Sequence, residues 1–189
     1  PAGSDEVDLT ESPAREKLRA ILRAEDSVIM CAALTPEKGR DQATFTKNVR
    51  MVENLCAVLE VVRCAHIVYI SSDSVYDRRC ELVNEESPCE SDDFYALSHI
   101  AREKLLRECC HGIEEMRLAI LRPSAVYGTG DTHNSYGPNR FLRSALQSGK
   151  IMLFGKGEEI RDHVYIDDLV QIVQLCLLHR SAGVLNAVT

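Results

Sequence analysis

Two stretches of the chain hold side chains whose types and spacing allow chemistry. In IVYISSDSVYD, from Ile67 to Asp77, a β-branched run ends abruptly in Ser71, Ser72 and Ser74, and in FYALSHIAREKLL, from Phe94, Tyr95 opens a helical pattern. At ~100° per residue, Tyr95, His99 and Arg102 fall within about 60° of one another, so one helix face offers a phenol, an imidazole and a guanidinium. A phenol with a pKa near 10 exchanges protons at neutral pH once it is lowered by about three units, which is about 4 kcal/mol. One cation ~4 Å away at an effective dielectric of about 20 supplies that much.

The elements around these stretches predict where they sit. IVYI reads as a buried parallel strand, which places the three serines at the sheet edge where ligands bind. SVIMCAAL, Ser27 to Leu34, is a second strand, whose Ala32 and Ala33 are small enough for a backbone-close ligand, or are plain strand-end filler. Val49, Val52, Leu55, Leu59 and Val62 give Thr44 to Val62 the helical period. Another helix starts at a Ser12 cap with Pro13 in first position, and its apolar stripe is Leu18, Ile21 and Leu22. The helix from Phe94 ends near Cys110, Asn139 to Leu146 reads as helical, and Asp167 or Asp168 caps a last helix to Leu178. RLAIL (117–121), IMLF (151–154) and GVLNAV (183–188) read as strands. The acidic loop from Asp77 to Asp93 suits a mobile cover, and the glycines from Gly128 to Gly137 mark an irregular, ligand-facing stretch. The expected fold is α/β, a parallel sheet with helices on both faces, in one domain over residues 1–189.

Composition narrows the partners. A net charge of -7 and a pI near 5.4 repel phosphodiester backbones, so nucleic acid is not expected as a partner. Eight cysteines without a CxxC pair, and no His at metal spacing, predict reduced, core-filling thiols of a cytoplasmic protein and no metal site. No apolar run reaches about 18 residues and the start is not signal-like, so neither membrane insertion nor export is expected. Pro1 in place of Met suggests an excerpt of a longer chain.

The strand-end Ser with a helical Tyr resembles the extended short-chain dehydrogenase/reductases, in their nucleotide-sugar epimerase/dehydratase branch. LRPSAVYGTGD, Leu121 to Asp131, resembles that family's strand-six segment. GKGEEIRDHVYIDDLV, Gly155 to Val170, resembles its RDxxYxxDL substrate-phosphate segment. The resemblance implies a Rossmann-like sheet, NAD or NADP as cofactor, a nucleotide sugar or similar small molecule as substrate, and residues 128–170 as part of the substrate region. It implies Tyr95 as the proton-transferring group and Ser72 as the holder of the same sugar oxygen. His99 stands at the family's Lys position, where a mostly neutral imidazole gives little field. His99 is then either a working catalytic and cofactor contact, with Arg102 or the cofactor's own charge compensating, or an ordinary surface or core histidine.

Further positions follow from the same resemblance. Asp8 and Leu9 match an adenine contact, or form an acidic surface turn. Ala32, Ala33, Pro123 and Val126 fall along the cofactor, and Asn48 matches a residue that props the strand ends, unless it is simply exposed. Asp73 and Ser74 stand where the 4,6-dehydratases carry Asp-Glu, and with Ser at 74 the elimination pair is incomplete, which favours epimerase or reductase. Asn139 falls on the substrate side, and Arg161 matches a diphosphate clamp or pairs with Asp162 or Asp168. A glycine-rich dinucleotide turn is missing, since neither Gly128-Thr129-Gly130 nor Gly155-Lys156-Gly157 completes GxGxxG. Strands one to three of the family are therefore expected upstream, the alternative being a genuinely shortened protein that leaves the apolar VIMCAAL strand at a sheet edge. Two function classes stand: a working NAD(P)-dependent epimerase or related oxidoreductase, and a catalytically degraded cofactor-binding sensor or scaffold. Apolar Val58, Val61, Ile100 and Leu106 predict a homodimer through helices 44–62 and 94–110.

Overall fold

In the computed structural model, which describes residues 3, 5–131, 137–153, 155–158 and 160–188, the expected α/β class is observed. Four strands, β1 (Ser27–Met30), β2 (His66–Ile70), β3 (Arg117–Pro123) and β6 (Gly183–Ala187), form a parallel sheet in the order β1-β2-β3-β6. A separate parallel pair joins β4 (Ala125–Tyr127) to β5 (His163–Tyr165).

Strand periodicity divides the core in two. Ile67, Tyr69 and Ile120 project to one face, where Val52, Leu55, Val58 and Leu59 of α2 (Gln42–Val62) and Leu106 of α3 (Phe94–Cys110) cover them. Leu18 of α1 (Ala14–Ile21) packs on the same cluster. Val68, Ala119 and Leu121 project to the other face, against Cys176 of α5 (Ile166–His179). Helices therefore lie on both sides of the sheet. Remaining regular elements are a 3-10 turn, η1 (Asp73–Val75), and α4 (Gly137–Ser148).

Several element boundaries differ from expectation. Strand β1 stops at Met30, and residues 31–34 leave the sheet because Asn48 takes both Leu34 backbone groups. Pro13, not Ser12, is the N-cap of α1, without a side-chain bond. Tyr165 caps α5, so Asp167 and Asp168 lie inside its first turn, where they favour the helix dipole instead of capping it. Residues 151–153 form no strand, and Phe154 lies outside the described residues, as does 132–136 within the glycine-marked stretch.

The 77–93 segment is pinned rather than loose. Asp77 N bonds Pro88 O at 3.0 Å, Tyr76 bridges Cys89, and Glu85 accepts from Asn186 N at 2.8 Å. All eight cysteines are free, but only Cys56, Cys64 and Cys176 are buried, while Cys31 and Cys89 are exposed. Val58 and Leu106 are fully buried within the single chain, so of the four residues expected at a dimer face only Val61, 65% exposed, and half-buried Ile100 reach the surface.

Candidate active site

The strands are parallel, so their C-terminal ends form one rim, and the segments leaving that rim carry the expected chemistry. Past β2, Ser72 caps η1. Its Oγ accepts from Ser74 N at 3.2 Å and from Ser74 Oγ at 2.9 Å, and donates to Asp73 Oδ1 at 3.3 Å. Ser71 departs from expectation. It is buried, and its hydroxyl donates to Glu103 Oε1 at 2.6 Å, so it faces the core instead of a ligand. Asp73 is exposed as a residue, yet partial desolvation pushes its carboxyl upward, opposed by Ser72 and by the charge of Arg161. Arg161, itself exposed, is thereby placed near the Ser72–Ser74 turn.

Helix α3 carries Tyr95 to the same rim. Asp93 caps it, accepting from Tyr95 N at 2.9 Å and Ala96 N at 3.3 Å, and Ser98 Oγ ties back to Tyr95 O at 2.7 Å. Contact between η1 and α3 brings the Ser72 turn against this helix, with Tyr95 half-buried.

The imidazole and guanidinium of the same helix face are buried rather than offered to solvent. His99 is 1% exposed, its Nδ1 lies 2.6 Å from Tyr69 Oη, and its ring meets Tyr95 edge-on at 4.7 Å. Burial, reinforced by Arg102, lowers His99 to about 3, so the ring is neutral. Burial raises the Tyr69 phenol, which therefore keeps its proton, and the Tyr69 hydroxyl and His99 Nδ1 share one hydrogen bond. Nε2 of the same ring has no hydrogen-bond partner among the described residues. Arg102 is fully buried, donates to Ala32 O at 2.5 Å, and lies 5.0 Å over the Tyr69 ring.

Other expected residues are distributed along the rim or away from it. Ala32 is exposed and Ala33 half-buried just beyond β1, Pro123 is buried at the end of β3, and Val126 is 39% exposed on β4. Asn48 is buried, and its amide accepts from Leu34 N at 2.7 Å and donates to Leu34 O at 3.1 Å and Ser98 Oγ at 3.4 Å. Asp8 bonds Thr10 N and Thr10 Oγ, which hold its carboxyl below the usual range, while Leu9 O accepts from Asn54. Asn139 is spent on the 128–131 turn, donating to Gly128 O at 2.6 Å and Asp131 Oδ2 at 3.0 Å. With Arg143 and Tyr165 it lines a recess beside β4.

One buried network escaped the sequence reading. Arg122 on β3 forks onto Glu103 with bonds of 2.9 and 2.6 Å and donates to Tyr76 Oη at 2.8 Å, which donates to Asn186 Oδ1 at 2.6 Å. An Arg inside an apolar strand was the signal, since such a charge needs a partner. It locks α3 to the sheet beneath the rim.

A model of the NAD dependent epimerase/dehydratase family matches residues 3–188. Among curated proteins, the 2-alkyl-3-oxoalkanoate reductase of Shewanella oneidensis is 26% identical over 81% of this chain and 41% of its own length. A Bacillus subtilis protein described as an uncharacterized UDP-glucose epimerase is also 26% identical, over 66% of this chain and 39% of its own. Among solved structures, MoeE5 with UDP-glucuronic acid and NAD superposes with a TM-score of 0.80 at 23% identity, over 100% of this chain and 62% of that one. The Bacillus cereus UDP-glucuronic acid 4-epimerase with the same two ligands gives 0.79 at 23% identity, over 99% and 58%. These superpositions show a shared Rossmann-like fold, and the chain spans about two fifths of the length of those two curated relatives.

Proposed function

Because this chain belongs to the NAD dependent epimerase/dehydratase family, we propose that its protein is a nicotinamide-dependent nucleotide-sugar epimerase or related reductase in which Tyr95 exchanges a proton with a sugar hydroxyl held by Ser72. The observation that carries this reading is the rim where η1 packs on α3, with the Ser72 hydroxyl and the Tyr95 phenol on adjoining elements. Neighbours captured with UDP-glucuronic acid and NAD support the substrate class and the cofactor.

The residues present fit one end of NAD or NADP. Ala32 and Ala33 leave a shelf without bulky side chains, and Tyr95, Pro123 and Val126 follow along the strand ends. A bound nicotinamide would supply a hydride acceptor and donor at the sugar carbon. A pyrophosphate needs free backbone donors at a helix N-terminus, and those at the starts of α2 and α3 are already taken. Asp41 accepts from Thr44 N and Asp93 from Tyr95 N and Ala96 N, while Asp167 and Asp168 put negative charge in the first turn of α5, which repels a pyrophosphate there.

Within this reading, Ser72 orients the substrate hydroxyl and Tyr95 takes its proton as the carbon is oxidised, then returns it. Asp73 with Ser74 lacks a second carboxylate for eliminating water, so epimerisation or reduction is favoured over dehydration. Arg161, near Asp73, suits a substrate diphosphate as a bidentate cation. Asp8, Leu9 and Asn48 are assigned to the cofactor side as supports, and Asn139 to the substrate side through the turn it holds. Two copies joined across α2 and α3, through Val61 and Ile100, in a reducing cytoplasmic setting complete the reading. Among the described residues no helix is long and apolar enough to cross a membrane.

The test is incubation of the complete protein with NAD or NADP and a panel of UDP- and dTDP-hexoses, followed by product analysis. Epimerised or reduced sugar is expected, and no turnover with no bound cofactor would contradict the reading. A second reading, a cofactor-binding scaffold that has lost catalysis, is favoured by one observation: His99 is neutral and turned inward. His99→Lys separates the two. A large gain in rate identifies a degraded site, and a loss identifies an arrangement that works with His.

A further inference from the structure

Arg102 is a buried cation with no carboxylate bonded to it among the described residues. It is fully buried on α3, one amino group donates to Ala32 O at 2.5 Å, and its Nε and other amino group have no partner among the described residues. Glu103, the adjacent carboxylate, is committed to Arg122 and Ser71. Burying a cation away from any anion is strongly unfavourable, so the charge that Arg102 answers must arise nearby.

Geometry identifies that charge. Side chains on a helix lean toward its N-terminus, so Arg102, two turns below Tyr95, extends back toward it. Its bond to Ala32, just past β1, places the guanidinium at the level of the rim. From there contacts run without a gap: guanidinium over Tyr69 at 5.0 Å, Tyr69 Oη to His99 Nδ1 at 2.6 Å, His99 ring to Tyr95 ring at 4.7 Å. The groups placed around it are the Ala32 carbonyl beyond β1, Tyr69 on β2, and Tyr95 and His99 on α3, with Glu103 next along that helix. Burial keeps Tyr69 protonated, and His99 is neutral. Tyr95, half-buried on the rim, is the remaining group there that can become negative, and its charge is one that the guanidinium feels.

We propose that Arg102 is the positioning residue of this site: its buried guanidinium supplies the positive charge that favours the ionised form of Tyr95, a task that His99 leaves unfilled. This rests on the reading of Tyr95 as the proton-exchanging group, but its test requires neither substrate nor cofactor.

The experiment titrates Tyr95 by carbon NMR of protein labelled at the tyrosine Cζ, with Tyr95→Phe identifying the resonance. Arg102→Met is expected to raise the Tyr95 midpoint by about one unit, Arg102→Lys to retain at least half of that difference, and His99→Gln to leave it within a few tenths. An Arg102→Met protein with the parent's circular dichroism and an unmoved Tyr95 midpoint would overturn the proposal. So would a rise of a full unit in His99→Gln, which keeps the test decisive should Arg102→Met fail to fold. An active enzyme whose Tyr95 ignores Arg102 overturns this inference alone. A Tyr95 that follows Arg102 in a protein without turnover sustains it while the proposed function fails.

Discussion

Glu103 shows at the scale of one residue how the fold holds its chemistry in place. Its carboxylate takes both arms of Arg122 and the Ser71 hydroxyl, with both ion-pair side chains at most 5% exposed. Removing one member of a buried pair leaves the other charge unpaired, at about 3 to 5 kcal/mol. Glu103→Ala is therefore expected to lose that much in urea unfolding, and the double replacement Glu103→Leu with Arg122→Met to lose less than half of it. A double variant as unstable as the single would contradict this. His66 and His99 titrate below the ordinary 6.5, His99 at about 3, chiefly through burial. Between about pH 6.5 and 3 the unfolded chain binds more protons than the folded one, so stability rises with pH across that window and is fully present above it. The urea midpoint should fall from pH 6.5 to 5, and His99→Gln should flatten the fall. Parallel pH curves for parent and variant would show that His99 is not the cause.

Helix α2 was legible from the helical spacing of Val49, Val52, Leu55, Leu59 and Val62, whereas α3 buries Ser98, His99, Arg102 and Glu103 beside Ala96 and Leu106, so its inward face carries charge that apolar periodicity does not mark. Strand β1 was overread, since SVIMCAAL is apolar throughout and only the Asn48 amide, 14 residues away, tells where the sheet ends. IMLF had the right residues for a strand, yet Ile151, Met152 and Leu153 are half or more exposed and no strand pairs with them. Candidate site residues could be picked out where a local pattern carried them, as with Ser72 and Tyr95. Tyr69, Arg122 and Asn186 were not, because their partners are 30, 19 and 110 residues distant. Asp93 carries an element-level prediction: it closes the first turn of α3 and fixes Tyr95 N. Asp93→Ala should cost about 1 kcal/mol of stability. It should lower turnover more than that loss of folded protein explains, since the Tyr95 turn loosens; turnover that only tracks the folded fraction would contradict it.

At the scale of the molecule, the proposed reading assigns the rim to the reacting side of a dinucleotide, while the sequence lacks a GxGxxG turn for its pyrophosphate. Each missing charge-assisted bond is worth about 1.5 to 3 kcal/mol, so two or three weaken a micromolar site a hundredfold or more. These 189 residues are expected to bind NAD or NADP only weakly by calorimetry, and micromolar affinity would mean that another loop holds the pyrophosphate. The central claim, that this rim performs proton-coupled oxidation at a sugar carbon, depends on one phenol. Its most direct test is turnover of the complete protein carrying Tyr95→Phe, on the sugar that the parent converts. The account predicts a loss of at least a hundredfold with the fold and cofactor affinity unchanged; a Tyr95→Phe enzyme within twofold of the parent would contradict it.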